Sequence, residues 1–409
     1  MNNNLPNSAT LCTQLWNHAV VDIDKKKIRA CCKTPSIQLT DNDIATYKQD
    51  AFINLPVIRE ARKEMLDGEK PAMCRTCWDL EAKGNFSFRT GNFAWQNYFK
   101  DLNYSDYTLS NHPNDLDIQL DNYCDLKCLY CNEEFSSQWQ AEKQKFGDIQ
   151  SFIPIQTAHD DFVKIFFTWF NTVKDNFERI AFLGGEPLIS PRFYELLDMI
   201  LEAYNNKFPD ELVINIITNL NTTSKYLEKF IDTINRYKDK VKFNINISQE
   251  AYGQQAEAIR HGLDFNRFMF NFNELAKIKG IVLSTITTVN VLSLSTLYKY
   301  LKFVTEIEKE HNVHVIIYPN LVSFPEHLQV SLMDKQLGKE YIDLAIEALS
   351  EKNHQGYIDF LNTLYDKFVF EEIRDTDNHN SLIKELETLS VRRNVNYKEI
   401  FNEYKYIWG

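Results

Sequence analysis

Glycine and proline are scarce, 12 and 11 residues in a chain of 409, which excludes collagen-like repeats and long Gly/Pro-rich linkers. No apolar run approaches the roughly 18 to 20 residues that a membrane-spanning helix needs. The amino-terminal stretch MNNNLPNSATLCTQLWNHAV has no basic segment leading into an apolar one, so no export signal is expected and the protein reads as cytoplasmic. Positive charge is also in deficit. With 45 Lys and Arg against 57 Asp and Glu the formal charge is -12, which disfavours a broad phosphate-binding face and nucleic acid as a partner. The composition of a disordered chain is missing too, since 44% of residues are hydrophobic and 13% aromatic. A chain of this length accommodates a barrel-sized domain of about 200 to 250 residues with smaller units beside it.

What the sequence does have is cysteine in one place. The eight cysteines are Cys12, Cys31, Cys32, Cys74, Cys77, Cys124, Cys128 and Cys131, all in the first third. In a reducing compartment disulfides do not persist, so clustered thiols point to metal or redox chemistry.

From residue 117 onward, short β-rich segments alternate with amphipathic helical stretches, the βα rhythm of a parallel sheet. The predicted strands are residues 117–120, 179–183, 212–218, 241–248, 282–289 and 313–318. LVINIIT and VHVIIY are nearly continuously apolar, as strands covered on both faces are. The expected fold is α/β over residues 109–330, which a partial (β/α)6 barrel or an open doubly wound sheet would satisfy, preceded by a small metal-stapled module at 1–108 and followed by a helical region at 331–409. A helix is expected near residues 55–66. Ligands in such folds gather beyond the carboxyl ends of the strands. Cys124, Gly184, Gly185, Glu186, Asn219, Ser248, Glu250 and Asn290 all fall just past a predicted strand end.

DNYCDLKCLYC spaces three thiols as CxxxCxxC after the first of these strands. Three thiolates hold three corners of a cubane cluster and leave one iron open, whereas structural zinc wants a fourth Cys or His nearby, and none follows within the next twenty residues. With Tyr130 as the aromatic before the last cysteine, the motif resembles the signature of the radical S-adenosylmethionine superfamily. That resemblance implies that Cys124, Cys128 and Cys131 ligate a 4Fe-4S cluster whose open iron binds S-adenosyl-L-methionine, with Tyr130 against its adenine. FLGGEP resembles the family's GGE element, which assigns Gly184, Gly185 and Glu186 to the methionine ammonium. On chemical grounds two glycines let backbone approach closely, and a glutamate supplies charge for a cation. Asn219 in ITN, with Ser248 and Glu250 in SQE, sits where the family places ribose and methionine contacts. Arg260 resembles an arginine pairing with the cosubstrate carboxylate; its plainer reading is a surface helix charge. Val289 is expected to border the adenine.

Cys12, Cys31, Cys74 and Cys77 make a complete four-thiolate set, which suits an iron-sulfur cluster or zinc. The set is similar to a twitch domain, the half-size relative of the SPASM module, with its pattern of a cysteine, a Gly-x4-C element and CxxC. The resemblance implies an auxiliary 4Fe-4S cluster. Lys26 stands at the glycine position. Cys32 is surplus and reads as a buried small apolar residue, with an alternative ligand or a hydrogen-atom donor as the other readings.

The activity implied is that of an oxidoreductase-type enzyme: reductive cleavage of S-adenosylmethionine to a 5'-deoxyadenosyl radical, which takes a hydrogen atom from a substrate. An electron donor such as flavodoxin or ferredoxin is implied. The expected substrate is a peptide or protein, as in ribosomal peptide modification. The alternatives are oxidation, dehydrogenation or epimerisation of a sugar or other small molecule, and, in a different class, a non-catalytic iron-sulfur or zinc protein.

Overall fold

The computed structural model describes residues 9–82, 84, 87–91, 113–149, 160–209, 212–349, 354–367 and 376–408. The expected boundary at 108/109 lies outside the described residues. By segment, the chain forms two compact units: Met1–Asp121 with Ile153–Gly184 and Ser190–Asn215, and Asn122–Phe152 with Gly185–Ile189 and Ile216–Gly409.

In the first unit, β1 (His18–Asp22) pairs antiparallel with β2 (Lys27–Arg29), which pairs antiparallel with β3 (Ile37–Gln38). On its other side β1 runs parallel to β4 (Asp115–Gln119), with His18 opposite Asp115, and β4 runs parallel to β6 (Arg179–Leu183). The sequence pattern did not mark β1 as a strand. HAVVD is buried at every position, so it lacks the alternation that a half-exposed strand shows. Helix Asp160–Val173 places Phe162, Phe166, Trp169 and Phe170 at helical spacing, and these rings pack on Phe52. The Phe52 and Trp169 rings stack 4.8 Å apart, a geometry worth about 0.5–1.5 kcal/mol beyond the area buried. Helix Pro56–Leu66, at the expected place, begins on a proline whose missing N–H costs nothing in the first turn.

In the second unit β7 (Val213–Thr218), inside which the boundary between units falls, is followed in sheet order by β8 (Lys242–Ser248), β10 (Ile281–Val289) and β11 (Val315–Leu321). β8 and β10 pair in parallel, as do β10 and β11. Their connections are helices: Ser224–Tyr237, then Gly253–Ile259 and Phe265–Ala276, then Leu294–His311. All six predicted βα strands are thus present with ends shifted by at most a few residues, in the succession that a partial (β/α)6 barrel requires. Past β11 the described elements are helical, the longest being Lys335–Leu349, Gln355–Lys367 and Thr376–Arg393.

A short ladder lies apart from these strands. β5 (Lys127–Cys128) pairs antiparallel with β9 (Arg260–His261).

Candidate iron-sulfur and cosubstrate site

The loop after β4 that carries the cysteine triplet is held on every side by hydrogen bonds. Ser137 Oγ donates to the Cys124 carbonyl and accepts from the Cys124 N–H, both at 3.2 Å. Ser136, the cap of helix Ser137–Lys145, also donates to the Leu126 carbonyl at 2.6 Å. Trp139 Nε1 donates to the Cys128 carbonyl at 2.8 Å, and the Leu129 N–H donates to Ile259 at 2.8 Å. With the β5–β9 ladder, these bonds fix the backbone that aims the three thiols. Four of them come from residues the motif reading passed over, Ser136, Ser137 and Trp139.

The GGE element packs against this loop. A Cβ on Gly185 would lie 2.3 Å from the Tyr123 carbonyl oxygen, so only glycine fits, and the Glu186 N–H donates to the same oxygen at 2.8 Å. Gly184, at φ +144°, would place a Cβ 2.7 Å from the Asp121 carbonyl oxygen.

Glu186 is engaged by its own chain. Its fully buried carboxylate accepts from Thr218 Oγ1 at 2.6 Å, from the Asn219 N–H at 2.6 Å and from the Leu188 N–H at 3.1 Å. Burial pushes its pKa up to about 7 against these hydrogen bonds. Glu186 therefore sets the end of β7, where Asn219 stands. The Asn219 amide donates to Asp125 at 3.0 Å and approaches Cys124 Sγ at 4.0 Å. Asp125 also accepts from Asn221 at 2.7 Å. Neither Asp125 nor Asn221 was singled out from sequence; a carboxylate inside the CxxxC spacing was the available signal.

Arg260 is buried, which corrects the surface-helix reading: helix Gly253–Ile259 ends one residue earlier and Arg260 begins β9. It contacts Glu250 Oε2 at 2.5 Å, lies 5.5 Å from the Tyr130 ring centre and reaches Cys128 Sγ at 3.9 Å. Tyr130 donates its hydroxyl to Glu250 at 3.0 Å. The sequence thus found four members of one network without showing that they touch. Ser248 is half-buried at the end of β8, opposite Ile286, and Val289 is wholly buried at the end of β10.

Burial raises the Cys128 thiol to about 12, and it raises Cys124 and Cys131 as well. The protein alone keeps all three protonated, and metal coordination is what removes such protons.

A cavity of about 430 Å³ opens beside the triplet, walled by Tyr130, Cys131, Trp139, Phe324, Leu389 and Arg392 among others. Helix Thr376–Arg393 also braces the loop. Arg393 donates to Glu142 and to the Lys127 carbonyl at 3.2 Å and lies 4.5 Å from the Trp139 ring centre.

In the first unit, Cys12, Cys31, Cys74 and Cys77 line one small cavity of about 20 Å³ with Leu15 and Arg89. Cys32 does not line it. It is exposed while Cys31 is buried, which corrects the expectation of a buried apolar Cys32. Burial raises Cys12 and Cys74 to about 12. Lys26 adopts φ +51°, the left-handed backbone that glycine favours.

Residues 118–304 match the family described as the Radical SAM superfamily. No curated protein matches the chain. Among solved structures, native anSMEcpe with bound AdoMet is similar at 18% identity and a TM-score of 0.38 over 59% of each chain. Streptococcus suis SuiB bound to S-adenosylmethionine is similar at 10% identity and a TM-score of 0.34, over 81% of this chain and 67% of that one. The chain thus covers 59% of the length of the first of these structures. Among the described residues no helix is long and apolar enough to cross a membrane.

Proposed function

We propose that the protein is a radical S-adenosylmethionine enzyme that takes a hydrogen atom from a peptide substrate. The observation that carries this is the gathering, in one compact unit, of Cys124, Cys128 and Cys131 with Tyr130, Glu250, Arg260 and Asn219. The three thiols would hold a 4Fe-4S cluster. Bound there, the cluster supplies the electron that cleaves the sulfonium bond of S-adenosylmethionine and so furnishes a 5'-deoxyadenosyl radical. The chain's own contribution is to hold and shield. Asn219 and Arg260 offer N–H groups to two of the sulfurs, and hydrogen bonds to cluster sulfurs raise the reduction potential. Tyr130 stands half-buried as a flat face for an adenine, with Ser248 and Val289 at neighbouring strand ends. Gly184 and Gly185, whose missing Cβ atoms let backbone pack closely, would offer their own backbone groups to the methionine end, with Glu186 as a positioning residue behind Asn219.

Cys12, Cys31, Cys74 and Cys77 would hold an auxiliary 4Fe-4S cluster, as in a twitch module. The four thiols around one cavity support this. A peptide is favoured because the cavity beside Tyr130 mixes an exposed apolar rim, Phe324 at 77% exposure, with charges of both signs from Lys143, Lys384, Asp148 and Glu385. That surface suits a polypeptide better than a small polar metabolite. Flavodoxin or ferredoxin would supply the electron.

The test is anaerobic reconstitution followed by dithionite and S-adenosylmethionine. The wild type should release 5'-deoxyadenosine and methionine slowly without substrate, and faster with a peptide encoded beside this gene. Replacing Cys124, Cys128 and Cys131 together by Ala should abolish both. Wild-type protein that bound only zinc would end the reading at its foundation.

A further inference from the structure

Glu308, His314 and His354 come together far from the triplet in sequence and on separate elements. Glu308 lies in the last turn of helix Leu294–His311, His314 immediately precedes β11, and His354 immediately precedes helix Gln355–Lys367. His314 stands before a parallel strand begins, whereas Asn219, Ser248, Glu250 and Val289 stand at or past the carboxyl ends of such strands. Nδ1 of His314 is 3.0 Å from Glu308 Oε1, and Nε2 of His354 is 3.0 Å from Glu308 Oε2. One ligand atom from each of the three lies within 4.8 Å of the others.

We propose that Glu308, His314 and His354 bind one divalent transition-metal cation of the zinc type, which staples the start of helix Gln355–Lys367 to helix Leu294–His311 and β11. Two imidazole nitrogens and one carboxylate form a donor set for zinc, nickel or copper rather than for calcium or magnesium. Nitrogen-to-oxygen separations of 3.0 Å are close to the edge of a zinc tetrahedron, about 3.3 Å for bonds of about 2.0–2.1 Å. Little movement is needed to seat the ion.

Glu308 is buried, and among the described residues no lysine or arginine pairs with it. The two imidazoles stack with ring centres 5.2 Å apart. The Val315 N–H, donating to Glu308 Oε1 at 2.8 Å, fixes the carboxylate as outer hydrogen bonds fix metal ligands. His314 is 58% exposed, which gives the ion a path in and leaves a coordination position for water.

The test uses the reconstituted holoenzyme, so that the cysteines are already occupied by iron. After one equivalent of zinc chloride and desalting, elemental analysis should find about one zinc per chain in the wild type with iron unchanged. His314→Ala, whose side chain is mostly exposed, should fold normally and lose that zinc, and His354→Gln should lose it too. The thermal midpoint should rise with zinc in the wild type and stay fixed in His314→Ala. Equal zinc in wild type and His314→Ala, or none in either, overturns the proposal.

Discussion

Arg260 and Glu250 form a bidentate ion pair, with Nη2 2.5 Å from Oε2 and Nε 3.2 Å from both oxygens, although both side chains are buried. The pair ties the residues following β8 to β9, and through β9 to the cysteine loop. Removing one partner leaves a buried charge alone, which costs about 3–5 kcal/mol, whereas replacing both by apolar groups is often neutral. Arg260→Met should therefore destabilise the protein by about that amount, and adding Glu250→Leu should recover most of it. Urea denaturation of the single and double variants decides. A single variant within about 1 kcal/mol of wild type would mean that the pair contributes as a surface bridge does.

Lys26 occupies a left-handed position at φ +51°, where a residue with a Cβ costs about 1–2 kcal/mol relative to glycine. Lys26→Gly should raise stability by about 1 kcal/mol. The ion pair lost with Asp41, at 3.6 Å with Asp41 97% exposed, offsets little of this. An unchanged or lower midpoint in urea would count against strain at this turn.

His18 sits between Asp115 at 3.0 Å and Asp117 at 3.5 Å, and Arg179 bonds both carboxylates at 2.9 and 2.8 Å. Desolvation would lower its pKa, but the two carboxylates outweigh that and raise it to about 10. A cationic group raised in the fold stabilises fully below its unfolded value, about 6.5, and this stabilisation is lost as pH climbs to about 10. Asp117 is buried, yet His18 and Arg179 hold it down at about 2, so its share is present above about 3.8 and lost as pH falls towards 2. Stability of wild type minus His18→Gln should therefore fall between pH 6.5 and 10. A flat difference across that range would show that His18 is neutral in the fold.

Cys74→Ala or Cys77→Ala should abolish or alter substrate turnover while uncoupled 5'-deoxyadenosine formation persists. The two cysteines line the cavity of the first unit, and the triplet belongs to the second. Losing one thiolate also removes folding energy, so circular dichroism and iron retained by the triplet must accompany the assay. A folded variant with its triplet iron intact that made no 5'-deoxyadenosine under dithionite would place the first site in radical initiation.

Local pattern determined a great deal. LVINIIT announced its strand because a strand covered on both faces is apolar along its length, whereas VHVIIY, apolar too, became the edge strand β11, buried only at alternate positions. A helix was expected near residues 55–66, where helix Pro56–Leu66 stands, and CxxxCxxC announced three thiols in one loop. Partner choice across long separations was decided only by the tertiary structure. Nothing in HAVVD says that it pairs with β4, and no local pattern says that Glu186 bonds Asn219, that Cys31 faces the cavity while Cys32 faces solvent, or that Arg393 braces a loop 266 residues away. The reason is physical. Periodicity records which face of an element is buried, a property of neighbours along the chain, whereas a hydrogen-bond or ion-pair partner is fixed by which elements the folded backbone brings within about 3 Å.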